Sequence, residues 1–279
     1  MLIRVITGVG ILLSTIALMI FAHTPAYPIV VALLAFVGVY EYFRTYELSK
    51  KWFLVIPAYL LALGMPIGCY YLNGPKEGLF ALMVAMLLYF IIVAMESVFF
   101  HRQMTMHDAF VAFGGVFYVV SGFSALCALY TASSSYAVVT ILPAFMGSWI
   151  TDTGAYFVGV LFGKHKLCPE LSPKKTVEGG LGGIVVCSLA FLVFGFLVSL
   201  FTPLTPHYLM LAIYAILISV VSQVGDLFMS KLKREQGIKD FGNLFPGHGG
   251  VLDRFDSMIP IAMICLLYAL LPGSFSLFS

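Results

Sequence analysis

Asp226, Ser230, Lys233 and Arg234 recur at i, i+4, i+7 and i+8, a spacing that puts an acid, a hydroxyl and two cations on one face of a helix. A little further on, IKDFGNLFPGHGGVLDRFDS (238–257) gathers Lys239, Asp240, His248, Asp253, Arg254 and Asp256 into a single glycine-rich stretch. Charge that dense must be solvated, paired or bound to a ligand. Carboxylates beside cations suit a phosphate chain and its divalent ion, because Mg²⁺ is usually held by one or two carboxylates plus substrate phosphates. Gly247, Gly249 and Gly250 flank His248 and let successive backbone N–H groups approach an anion as a nest. Asp256, followed by Ser257 and Pro260, reads equally well as a helix cap. Asp253 lies outside that helix start.

An earlier stretch repeats the theme with other residues. In TDTGAYFVGVLFGKHKLCPELSPKKTVEGG (151–180), Asp152 and Tyr156 stand one turn apart, and SPKKT brings together Ser172, Lys174, Lys175 and Thr176. The GKH lysine lacks the glycine spacing and the following Ser or Thr of a P-loop, and no dinucleotide fingerprint follows a strand. The soluble nucleotide-binding folds are therefore excluded.

The elements that carry these residues follow from composition. The chain is 61% hydrophobic and 10% charged with a mean hydropathy of +1.02, whereas soluble domains are about a quarter charged. An all-α integral membrane protein is expected, since helices satisfy their own backbone in lipid. A ruler of about 20 apolar residues finds about nine spans, near 3–22, 27–46, 52–72, 79–100, 107–132, 136–162, 180–201, 206–230 and 256–275. The first is read as a retained helix, being too long for a signal core. Of the 15 Lys and Arg residues, all but Lys76 fall on one side of these spans. The positive-inside rule then puts the amino terminus and the 163–179 and 231–254 loops in the cytoplasm. Five scattered cysteines suggest neither a disulfide framework nor a zinc site.

Four acids fall within spans: Glu41, Glu96, Asp152 and Asp226. Each would cost about 2.5–3.5 kcal/mol at bilayer depth, so such a residue faces a cavity or a partner. Glu41 and Glu96 lie toward span ends, where they reach the interface or pair with Arg44 or Arg102. Asp152 and Asp226 each end a helix ahead of a basic loop. Residues 1–140 are read as an amino-terminal bundle of about five helices, and 141–279 as the catalytic region. A polar cavity is expected at the cytoplasmic membrane edge between spans six, eight and nine.

The run S-K-L-K-R-(four residues)-K-D-F-G-N-L-F-P-G-H-G-G-V-L-D-R-F-D, Ser230 to Asp256, resembles the signature of the phosphatidate cytidylyltransferases, or CDP-diacylglycerol synthases. The upstream D-T-G-A-Y-F and S-P-K-K-T-x-E-G resemble the same family's second conserved region, although Val160 stands where many relatives carry a basic residue. The resemblance implies that CTP and phosphatidate give CDP-diacylglycerol and pyrophosphate with Mg²⁺, in a two-metal site, at the inner membrane with the site facing the cytoplasm. It implies metal carboxylates at Asp226, Asp253 and Asp256, and catalytic cations at Lys233, Arg234 and Lys239. Asp152, Ser172, Lys174, Lys175, Thr176, Ser230, His248, Gly249, Gly250 and Arg254 would bind substrate. Membrane lipids are partners, a homodimer is allowed, and no nucleic acid is expected. Two other classes fit the residues alone. A CTP-dependent polyprenol kinase would need a base for its alcohol. A transporter would also carry intramembrane acids, but at mid-depth and usually with an internal repeat.

Overall fold

A computed structural model describes residues 10, 13–99, 104–132, 136–271 and 277–279. Its helices are α1 (Ala26–Thr45), α2 (Trp52–Tyr71), α3 (Pro75–Phe99), α4 (Met106–Ala132), α5 (Ala137–Phe162), α6 (Val177–Phe201), α7 (Tyr208–Glu235), the single turn α8 (Leu252–Phe255) and α9 (Met258–Ala269). Six of them, α1–α4, α6 and α7, are long and apolar enough to cross a membrane. The protein is thus a predominantly helical, multi-pass membrane protein. Helix α5 is as long, but Ser148, Thr151, Asp152 and Thr153 interrupt its apolar run. Residues 13–20 are helical, within the expected first span; the rest of that span, with Arg4, lies largely outside the described residues, as does Arg102.

Large apolar side chains that a soluble protein would bury point outward, including Leu60, Phe80, Leu87, Leu189 and Leu209. Lipid is the solvent that makes this stable. Pro57 and Pro66 inside α2 and Pro143 inside α5 are tolerated for the same reason, because neighbouring groups re-satisfy the freed carbonyls.

Two departures from the sequence reading concern the charged loops. SPKKT is not coil: Lys166–Cys168 (β1) and Ser172–Thr176 (β2) pair as an antiparallel hairpin, with Lys166 opposite Thr176. The expected ninth span is a helix that starts at Met258 and runs 12 residues, and Asp253 belongs to the separate turn α8. Ser257 occupies its N-cap position and makes no side-chain cap bond. Asp256, read as a possible cap, stands one residue before that position and accepts from the adjacent Ser257 N–H at 2.8 Å.

The chain forms two compact units, Met1–Val138 with Gln236–Phe255, and Val139–Glu235 with Asp256–Ser279. In the first, α1–α4 enclose Tyr27, Phe43, Leu54, Tyr89 and Phe123, all fully buried. Tyr27 donates to the Leu126 carbonyl at 3.1 Å, Lys51 pairs with Asp108 at 2.6 Å, and Phe255 packs on Phe123 at 5.4 Å between centroids. The signature segment therefore packs with the first helices, although it lies in the 141–279 half of the sequence.

In the second unit, α5 and α6 meet along glycines. A Cβ on Gly179 would sit 2.7 Å from the Ala155 carbonyl, and one on Gly183 2.9 Å from that of Thr151. Helix α7 meets the 256–260 turn the same way, because a Cβ on Gly225 would lie 2.7 Å from Pro260 Cγ and 3.1 Å from the Asp256 carbonyl. Hydroxyls tie this packing together: Ser148 to Ser257 at 2.6 Å, and Thr151 to Ser219 at 3.0 Å.

Candidate active site

The close passage at Gly225 sets the next residue, Asp226, beside the Asp256 turn. On its other side the hairpin delivers Lys175, whose Nζ forms an ion pair with Asp226 Oδ2. The hairpin is anchored by α6. The Thr176 hydroxyl accepts from Gly179 N–H at 3.1 Å as the N-cap of α6, and Glu178 accepts from the Lys164 and His165 amides at 3.1 and 3.2 Å. Thr176, expected to touch substrate, also lines the adjoining cavity.

A cavity of about 470 Å³ opens here. Asp152 and Tyr156 from α5, Lys166, Lys174 and Lys175 from the hairpin, Gly179 and Gly180 from α6, and Gln223 and Asp226 from α7 line it. Val160 lines it as well, so no cation stands at that position. Gln223 is held by its Nε2 donating to the Gly180 carbonyl at 3.1 Å.

Asp256, in the turn ahead of α9 and outside the spanning helices, is 7% exposed. Burial, then the charges of Asp226 and Asp152, push its carboxyl above the usual aspartate range, while Lys233 opposes them. Asp226 and Asp152 thus repel the Asp256 carboxylate, and Lys233 offsets that repulsion. Among the described residues no group of three or more His, Cys, Asp or Glu side chains is placed to hold a metal ion. The expected helix ladder divides: Lys233 is buried, whereas Arg234 is exposed.

The signature segment organises itself in the other unit. Phe245 N–H donates to the Gly249 carbonyl at 2.8 Å and His248 N–H to that of Phe245 at 2.8 Å, closing a tight loop. Gly247 and Gly249 sit at φ 76° and 85°, which side chains disfavour. Of the amides expected to form an anion nest, His248 N–H serves the Phe245 carbonyl and Gly250 N–H serves a carboxylate of the protein itself. Asp253 Oδ2 accepts from the amides of Phe241 at 2.8 Å, Gly242 at 3.4 Å and Gly250 at 2.9 Å. Gly250 N–H, expected to meet a phosphate, is thus committed to Asp253.

Glu41 departs from expectation too. It is buried and accepts from the amides of Val251 and Leu252 at 3.0 and 2.9 Å. Local spacing does not reveal these partners, which lie some 210 positions away; the intramembrane charge is the signal that the sequence offers. Among the described residues, the Glu96 Oε2 and His248 Nδ1 atoms are buried with no hydrogen-bond partner. Lys239 and Arg254 are exposed, and Ser172, Ser230 and Gly249 are half-buried.

Apolar spans around a cavity that sets acids against lysines define a multi-pass membrane protein with a polar chemical site. Residues 2–271 match the profile of the cytidylyltransferase family. The chain is 36% identical over 245 residues to the phosphatidate cytidylyltransferase of Staphylococcus saprophyticus subsp. saprophyticus, covering 84% of this chain and 87% of that protein. It is 48% identical over 124 residues to the Bacillus subtilis phosphatidate cytidylyltransferase, covering 44% and 45%. To that of Staphylococcus haemolyticus it is 42% identical over 163 residues, covering 57% and 60%. The chain belongs to the cytidylyltransferase family. It is an enzyme of the type that its 230–256 run resembles.

Proposed function

We propose that the protein transfers the cytidylyl group of CTP to phosphatidate, giving CDP-diacylglycerol and pyrophosphate. A phosphate oxygen of the lipid attacks the α-phosphorus of CTP, the bond from that phosphorus to the bridging oxygen breaks, and pyrophosphate leaves with the electron pair. A phosphate monoester has a second pKa near 6, so the nucleophile is already an oxyanion and needs no strong base. The barrier is repulsion between two anions, and catalysis is positioning plus charge neutralisation.

The observation that carries this reading is the Lys175–Asp226 pair at the wall of a cavity that also holds Lys166 and Lys174. Lysines there draw in the phosphates, and their stems leave room for the lipid headgroup. Asp226 and Asp256, with Asp152 nearby, fit Mg²⁺ held by few carboxylates and completed by substrate phosphates. For Asp253 a metal-binding role rests on the family resemblance of the 230–256 run alone. When bound, divalent ions would neutralise the α-phosphate and the departing pyrophosphate. Lys233 and Arg234 of the same unit supply further cations, and for Lys239, His248 and Arg254 a substrate-binding role rests on the family resemblance alone.

The apolar runs favour about nine spans, and the charge bias of the loops favours an amino terminus and a site facing the cytoplasm, where CTP arrives while acyl chains stay in the bilayer. Reconstitution in liposomes tests the substrate assignment. Vesicles containing phosphatidate should accumulate CDP-diacylglycerol by mass spectrometry when given CTP and Mg²⁺. Equal product with diacylglycerol in place of phosphatidate would contradict the assignment.

A further inference from the structure

Resting on the cytidylyl-transfer reading, we propose that Glu41 is a positioning residue: from α1 it clamps the backbone that leads into Asp253 and Arg254. Glu41 is 3% exposed, and a carboxylate that deep is costly unless hydrogen-bonded. Each of its oxygens takes one amide, Oε1 that of Val251 at 3.0 Å and Oε2 that of Leu252 at 2.9 Å. These are the residues immediately before Asp253. The loop closes on the carboxylate so tightly that a Cβ on either Gly242 or Gly250 would lie 2.2 Å from Glu41 Oε1. A side chain at either position would therefore displace the Glu41 carboxylate or the loop.

One turn further along α1, Arg44 Nη2 donates to the Phe241 carbonyl at 2.9 Å. The helix thus grips both ends of the segment. Between these two grips Asp253 Oδ2 gathers the amides of Phe241, Gly242 and Gly250. Five loop amides are divided between two carboxylates, one internal to the loop and one supplied by the amino-terminal bundle. Without Glu41, residues 250–252 lose their external fix, and the Asp253 carboxylate loses its orientation. The first helices of the chain then have a chemical task beyond anchoring: they aim the signature loop.

The test compares the parent protein with Glu41→Gln and Gly250→Ala in lipid nanodiscs, by hydrogen–deuterium exchange and by transfer kinetics. Gln keeps the packing but turns an NH₂ toward a backbone N–H, and the added methyl at 250 displaces the loop from the carboxylate. Both variants should speed exchange in peptides covering 248–253 while α2 and α4 stay as protected as in the parent. Both should lower kcat by about 10–100-fold, with KM for CTP changing much less. Unchanged exchange at 248–253, or parental kcat in either variant, would overturn the clamp. So would protection lost throughout α2 and α4, which would make Glu41 a general core residue. If the parent itself makes no CDP-diacylglycerol, the transfer reading fails instead, and the exchange data alone still decide whether Glu41 holds the loop.

Discussion

Lys175 pairs with Asp226, Gly225 presses the same helix onto the Asp256 turn, and in the proposed reaction Asp226 is the chief carboxylate of the cavity. Asn at 226 keeps the shape and removes the charge. Transfer should fall at least about 100-fold, as when a group supporting a metal site is lost. The pair is partly open to solvent, and such pairs contribute about 0–1 kcal/mol, so thermal unfolding in detergent should barely move. A large drop in melting temperature would make Asp226 structural. Asp226 and Lys175 were both legible in the sequence as candidates, but not as partners, because 51 residues separate them and no local periodicity encodes that contact. Thr176 and Gly250 read as substrate contacts for the same reason: hydroxyl and glycine types announce polar backbone work without saying whether the partner is a ligand or the protein's own cap and carboxylate.

At the scale of elements, the α5–α6 seam decides whether the hairpin reaches α7. Gly179→Val would drive a branched side chain into the Ala155 carbonyl and the Gly159 backbone. Overpacking of this kind costs about 1–3 kcal/mol, and the helices must part to relieve it. The melting temperature should drop and activity with it; a variant as stable as the parent would show that the seam has slack. Thr176→Val removes the α6 cap and should cost about 1 kcal/mol, measured in the same melts. Helix positions were readable because each span must be apolar over a fixed length. The hairpin was not: β1 and β2 are three and five residues long, and lysines and a proline give strand propensity nothing to register. The short α9 was overestimated, since apolar residues beyond Ala269 extend the hydropathy signal past the helix itself.

For the whole molecule, the spans state that the protein lives in lipid, and the placement of lysine and arginine favours one orientation. Cys168 offers a direct check, since it lies in β1 and is half-buried while Cys69, Cys127, Cys187 and Cys265 are buried. A membrane-impermeant maleimide should label Cys168 in inside-out vesicles and leave intact cells unlabelled; labelling only from outside would invert the topology. The helical class, the family and the two charged regions were legible because lipid solvation and phosphate chemistry both constrain residue type strongly. The grouping of 236–255 with the first helices was not, because Glu41 reaches it through the fold alone.

In the proposed reaction, lipid phosphate attacks the α-phosphorus of CTP at a site that would depend on carboxylate-held divalent ions. CTP labelled at the α-phosphate or at the γ-phosphate, given to the purified protein with phosphatidate and Mg²⁺, tests both halves at once. The α-label should enter lipid, the γ-label should appear in pyrophosphate, and excess chelator should stop both. Transfer of the γ-label into lipid, or undiminished α-label transfer in chelator, would contradict it.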